Sequence, residues 1–151
     1  MKLVSLALIA FAITASAKTA SARILTVNVD GTAQYTTIQD AFNAALDGDE
    51  IIVEPGVYTG TGDVVVDMLG KTVLLHSRSG PKNTTIDGEN ARVGVRCIAT
   101  GNAAIQGFTI RNGVGEITQD NQGNSASFGG GMEIINASPT ISDCVFRSNF
   151  A

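Results

Sequence analysis

"AAIQGFTIRNG" (residues 103–113) and "PTISDCVFRSN" (residues 139–149) lie 36 positions apart and superpose without a gap. Ile105 falls on Ile141, Phe108 on Cys144, Ile110 on Phe146 and Arg111 on Arg147. Just upstream, "VRCIA" falls on "MEIIN" with one residue of slip, so Val95 meets Met132 and Cys97 meets Ile134. Each unit reads as strand, corner, strand, tight corner, strand. Gly107 or Asp143 breaks the alternation, so Ile105 points inward, the chain turns, and Phe108 and Ile110 point inward again. Two bends in a unit of roughly 20 residues predict a stacking coil and not a hairpin. Like positions then sit above one another at about 4.8 Å, the spacing of paired strands, in parallel sheets. The core becomes a column of Ile, Val, Phe and Leu, which is a solenoid. Residues 129–150 are one such coil, with Met132, Ile134, Ile141, Cys144 and Phe146 as its inward set.

Working back towards the start, residues 24–29 read as a strand broken by Asp30 and Gly31. In "YTTIQDAFNAALDGDE", Ile38, Ala41, Phe42 and Ala45 share one helical face. Thr36 and Gln39 have capping-box spacing, and Asp47-Gly48 ends a helix expected over 36–46. With one apolar face and a polar back, it is expected to cover something on one side. Short runs follow, "EIIVEPGVY", "DVVVD", "KTVLLHS" and "TTIDG", each ending in turn-forming residues. Strands this short bury little singly and need a stack.

The N-terminus has a different logic. Lys2 precedes an apolar run over 3–13, followed by small residues at Ala15-Ser16-Ala17 and Ala20-Ser21-Ala22. This is the layout of a secretory signal peptide over 1–22, cleaved after Ala17 or Ala22. The run falls short of the ~20 apolar residues a membrane span needs, so no transmembrane segment is expected. The expected location is secreted, extracellular or at the cell surface. Removing residues 1–17 leaves 9 basic against 14 acidic side chains, a net charge of −5. An acidic chain with few aromatics is a poor nucleic-acid binder. It would also be repelled by anionic polysaccharide unless cations or a local basic patch intervene.

The segment "YTTIQDAFNAALDGDEIIVEPGVYTG" followed by "GKTVLLHSRSGPKNTTIDG" resembles the N-terminal entry of right-handed parallel β-helix proteins of the pectin-lyase-like superfamily. "GGGM" and "FRSN" resemble the repeats of polymorphic outer-membrane proteins. The resemblance implies an all-β, right-handed parallel β-helix (solenoid) with an N-terminal capping α-helix. Residues 23–151 would be the N-terminal portion of that domain, with the C-terminal coils and cap missing. The uncapped end would then favour self-association.

Such folds host lyases, hydrolases, esterases and adhesins, so function must come from a site. The motifs of pectin methylesterases and polygalacturonases do not follow "GFTIRNG". Any lyase, hydrolase or esterase residues would lie outside this chain, and whether the protein is an enzyme stays open. Asp63, Asp67, Asp87, Glu89, Glu116, Asp120 and Asp143 are carboxylate candidates. Paired on adjacent coils they could take Ca²⁺, but turn chemistry accounts for most of them. No other cofactor is implied. His76 reads as a surface residue, and Cys97 and Cys144 as free core thiols. Asn83 and Asn136 start glycosylation sequons. The polar insert over 114–128 is the candidate binding loop, with Glu116, Gln119, Asp120, Asn121 and Asn124 as its contact residues. The expected ligand is a polysaccharide or cell-surface glycan, and a non-catalytic adhesin-like role is the alternative.

Overall fold

The computed structural model describes residues 21–115, 117–119, 125–127 and 129–151. The expected signal peptide, but for Ser21 and Ala22, lies outside the described residues.

Strand β1 (Ile24–Val27) is followed by the short helix α1 (Ile38–Ala44). One round then comprises β2 (Glu50–Val53), β3 (Gly56–Tyr58) and β4 (Val64–Asp67). The next comprises β5 (Leu74–Ser77), β6 (Thr84–Asp87) and β7 (Val93–Ile98). Strands β8 (Ala104–Gln106) and β9 (Thr109–Arg111) open a third round. An antiparallel pair, β10 (Ile117–Gln119) and β11 (Ser125–Ser127), intervenes before β12 (Met132–Ile135) completes it. Strands β13 (Thr140–Ser142) and β14 (Val145–Arg147) follow.

These strands make three parallel sheets, ordered β1-β2-β5-β8-β13, β3-β6-β9-β14 and β4-β7-β12. Each round visits the sheets in the same order. The fold is mostly β, with parallel sheets and one short helix, and is compatible with a β-solenoid. The register matches the sequence alignment: Ile141 pairs with Ile105, Phe146 with Ile110, Met132 with Val95 and Ile134 with Cys97.

In-register pairing stacks like on like. Leu25, Ile51, Leu75, Ile105 and Ile141 form one column across the first sheet. Tyr58, Ile86, Ile110 and Phe146 form another across the second. Members of both columns up to Ile105 and Ile110 are buried. Burying each such side chain is worth roughly 1.5–3 kcal/mol. The corners repeat too. Gly107 and Asp143 both take left-handed backbone, φ 81° and 48°, at equivalent turns between paired strands. Glycine meets that demand without cost, and Asp tolerates it better than most residues.

Ile134, Ile141 and Phe146 hold inward register positions but are 46%, 39% and 45% exposed, since among the described residues no strand pairs beyond β12, β13 or β14. Phe146 is therefore a lesser anchor than Ile105. Asn149 secures this round: its Nδ2 donates to the Ile110 carbonyl at 3.0 Å, and its Oδ1 accepts from the Gly113 N–H at 2.8 Å.

At the other end α1 packs Ile38, Ala41 and Phe42 into the core beside β1, β2 and β4. Its cap lies one residue later than the sequence spacing suggests. Thr37 accepts from the Asp40 N–H at 3.0 Å and donates to Asp40 Oδ2 at 2.7 Å. That leaves Gln39 for another task. The Asp67 N–H donates to Gln39 Oε1 at 2.7 Å, and Gln39 Nε2 donates to the Asp67 carbonyl at 3.2 Å. The amide thus stands where a neighbouring strand would pair with edge strand β4. The last turn of α1 has no basic residue of its own. Lys71 Nζ donates to the Phe42 carbonyl at 2.6 Å and Arg23 Nη2 to the Ala44 carbonyl at 3.0 Å, satisfying the helix C-terminus from outside. Arg23 also binds buried Asp49, whose carboxyl its guanidinium pulls down to about 2.

Two outcomes follow from this packing. Ile105→Ala should cost ~2–5 kcal/mol, as buried aliphatic truncations do, and Phe146→Ala clearly less, when both are compared by guanidinium melts. Asp49 titrates in the folded state below its unfolded value of ~3.9, so its contribution is full above that value and lost as pH falls through about 2. The melting temperature should drop as pH falls from ~4 towards 2, and Asp49→Asn should be less stable at neutral pH with a shallower slope across that window.

Candidate functional site

The outer face of the β3-β6-β9-β14 sheet carries the most organised polar surface among the described residues. Alternation turns Ile86 and Ile110 inward, so their neighbours face out. One outward column is Val57, Thr85, Thr109 and Val145; the next holds Asp87, Arg111 and Arg147. Thr85 and Thr109 are nevertheless buried, because the segment through Pro81 and Lys82 folds over them. Thr109 Oγ1 donates to the Pro81 carbonyl at 2.7 Å and fixes that overhang. Under it lies a pocket of about 350 Å³ lined by Pro81, Lys82, Thr85, Thr109, Val145 and Arg147.

Asp87 anchors the adjoining column. Its Oδ2 accepts from Arg111 Nε at 2.8 Å, and its Oδ1 from Asn112 Nδ2 and the Glu89 N–H, both at 2.9 Å. Burial alone would push this carboxyl up. The bonds from Glu89, Asn112 and Arg111 outweigh it and hold the carboxyl below its ordinary range. Asp87 is thus committed to Arg111 and is not a proton-transfer group.

A larger cleft, about 570 Å³, opens between α1 and the segment from Thr59 to Asp67. Thr37, Gln39, Asp40, Asn43, Thr59 and Thr61 supply hydroxyl, amide and carboxylate groups to its walls. Asp67 lies there too, but its Oδ1 accepts from the Leu69 N–H at 2.8 Å, which is turn chemistry.

Of the candidate loop, Glu116, Asp120, Asn121 and Asn124 lie outside the described residues, while Gln119 ends β10 opposite Ser125. Within the insert β10 and β11 pair. Its base is tightly built. A Cβ on Gly113 would come 2.0 Å from the Gly130 carbonyl oxygen, so only glycine permits this approach. The Gly115 N–H donates to the Phe150 carbonyl at 2.8 Å, and the Val114 N–H to the Arg92 carbonyl at 3.0 Å.

The other candidates disperse. Glu89 pairs with Arg92, Asp143 sits at its left-handed corner, and Asp63 lines a separate small pocket beside Arg92. Among the described residues no three His, Cys, Asp or Glu side chains are grouped to hold a metal. His76 Nε2 lies 2.6 Å from Glu50 Oε1 on the outer face of the first sheet. Both cysteines are free thiols. Burial pushes Cys97 up to about 12 and raises Cys144, so neither is a ready nucleophile. Asn83 and Asn136, which start the two sequons, are both exposed.

Lys82 and Arg147 were not singled out from the sequence, yet they share a pocket. The stacking of Arg147 on Arg111, with Asp87 to neutralise only one of them, was the available signal. No protein-family model, curated protein or solved structure matches the chain. No helix among the described residues is long and apolar enough to cross a membrane.

Proposed function

We propose that this chain folds as a secreted or cell-surface right-handed parallel β-helix, α1 covering its first round, that binds polysaccharide or a cell-surface glycan. The observation that carries the reading is the 570 Å³ cleft beside α1. Its walls present Thr, Asn, Gln and Asp groups to solvent on rigid elements. Such groups exchange hydrogen bonds with sugar hydroxyls, and a rigid frame keeps the ordering cost of binding low. The neighbouring sheet extends this surface along the stack, which suits a polymer more than a compact metabolite. Exposed Thr59 and Thr61 make no side-chain bond within the protein, and exposed Asn43 only accepts from Gln39 Nε2 at 3.2 Å, which leaves both hydroxyls and the Asn43 amide N–H groups available to a ligand.

The test is a screen of neutral and acidic oligosaccharides by titration calorimetry. Binding should be found, and Asn43→Ala with Thr61→Ala should weaken it by about tenfold together, the worth of one or two neutral hydrogen bonds. Absence of binding to every oligosaccharide tried would overturn the proposal.

A non-catalytic adhesin-like surface protein is the second reading. It is favoured by the structural duty of the Phe146-x-x-Asn149 spacing, which serves stacking and not chemistry. In either reading the edge strands β12, β13 and β14, with exposed Ile141, Phe146 and Phe150, would pair with a second copy. Light scattering of the purified chain should then give a mass that rises with concentration. A concentration-independent monomer would remove self-association from the proposal.

A further inference from the structure

Eight of the ten lysines and arginines fall among the described residues. Six of them are engaged. Arg23 binds Asp49, Arg78 binds Glu54, Arg92 binds Glu89, Arg96 binds Glu133 and Arg111 binds Asp87. Lys71 is spent on the carbonyls at the end of α1. Lys82 and Arg147 alone among the described residues have no carboxylate or carbonyl partner, and both line the pocket under the Pro81 overhang. In a chain of net charge −4 this is no scatter of surplus charge.

The placement is also unfavourable without a ligand. Arg147 stacks in register on Arg111, and like charges directly opposite on paired strands repel. Asp87 pairs with Arg111 through Oδ2, turns Oδ1 to Asn112 and the Glu89 N–H, and makes no bond to the second guanidinium. An anion in the pocket would meet Arg147 from one side and Lys82 from the other. Thr85 on the floor would add a hydroxyl, and Pro81 and Val145 would supply apolar walls for a ring.

We infer that the pocket formed by Lys82, Thr85, Thr109 and Arg147 binds the anionic substituent, sulfate ester or carboxylate, of an acidic sugar. This rests on the glycan reading and narrows it to charged glycans. Guanidinium suits either oxyanion because its fork matches two oxygens at once. The local pair of cations also answers the repulsion that a net-acidic chain would otherwise exert on such a polymer.

The experiment uses the full chain and four probes: a sulfated oligosaccharide, a uronate oligosaccharide, a neutral one of equal length, and inorganic sulfate alone. Lys82→Gln/Arg147→Gln is compared with wild type and with Arg78→Gln, whose parent residue lies outside the pocket. Both pocket cations are exposed and unpaired, so the double variant should melt as wild type does. One or both acidic oligosaccharides should bind more tightly than the neutral one, in a salt-dependent way, and whichever does identifies the substituent. The double variant should lose about tenfold or more of that affinity, the worth of a charge-assisted hydrogen bond, and Arg78→Gln none. Inorganic sulfate should shift the backbone amide resonances of Thr85 and Thr109 in wild type and not in the double variant. Acidic and neutral oligosaccharides binding alike, or full affinity in the double variant, would overturn the inference and leave the glycan reading standing. Sulfate shifts confined to wild type, with no oligosaccharide bound, would keep the anion pocket and overturn the glycan reading.

Discussion

Parallel strands paired in register at about 4.8 Å constrain everything else in this molecule. Once each round repeats the one before, every side chain meets its own kind one step away. Apolar positions gain from this, as the Leu25-to-Ile141 column shows. Corners must share a backbone conformation, so Asp143 adopts the left-handed turn that Gly107 takes freely. Charges fare worst, because like would stack on like. The chain answers by opposing signs in adjacent rounds: Glu54 with Arg78, Asp87 with Arg111, Arg96 with Glu133. The most exposed of these, Arg78 with Glu54, is worth only ~0–1 kcal/mol. Their larger effect is to remove a repulsion that the register would otherwise impose.

Side-chain amides do for the outer rounds what strands do for the inner ones. Gln39 gives edge strand β4 one donor and one acceptor, and Asn149 does the same for the backbone around Ile110 and Gly113. An amide can do this because it carries the same donor and acceptor pair as a peptide group. The charged partners of α1, Lys71 and Arg23, extend the device to the helix terminus.

The repeat was legible because register has a period and the period is in the sequence: over 36 residues Ile falls on Ile, Phe on Ile and Arg on Arg. The helix was legible from Ile38, Ala41, Phe42 and Ala45. Its cap was missed by one residue, because Thr36 and Thr37 are chemically equal candidates and only packing decides which turns outward. The pockets were not legible. The one beside α1 depends on how a helix near residue 40 meets a segment near residue 60, and no spacing encodes that. The pocket between Lys82 and Arg147 depends on Pro81 folding over Thr109, a contact between rounds. The acidic residues were read mostly as turn formers, and among the described residues Asp67 does hold a turn, while the arginine partners of Asp87 and Glu89 were not legible because a carboxylate's type does not reveal its partner.

The neck of the insert has an evolutionary meaning. Gly113 and Gly130 touch backbone to backbone, and the bonds of Val114 and Gly115 staple the neck to the rounds on either side. The two ends of the excursion are thus clamped together whatever lies between them. Closing a loop twice as long adds only ~0.6 kcal/mol. The stack therefore offers a socket in which residues 116–128 can be exchanged, lengthened or recoded while the register beneath stays put. A lineage could diversify the surface presented at this one position without renegotiating how the chain folds.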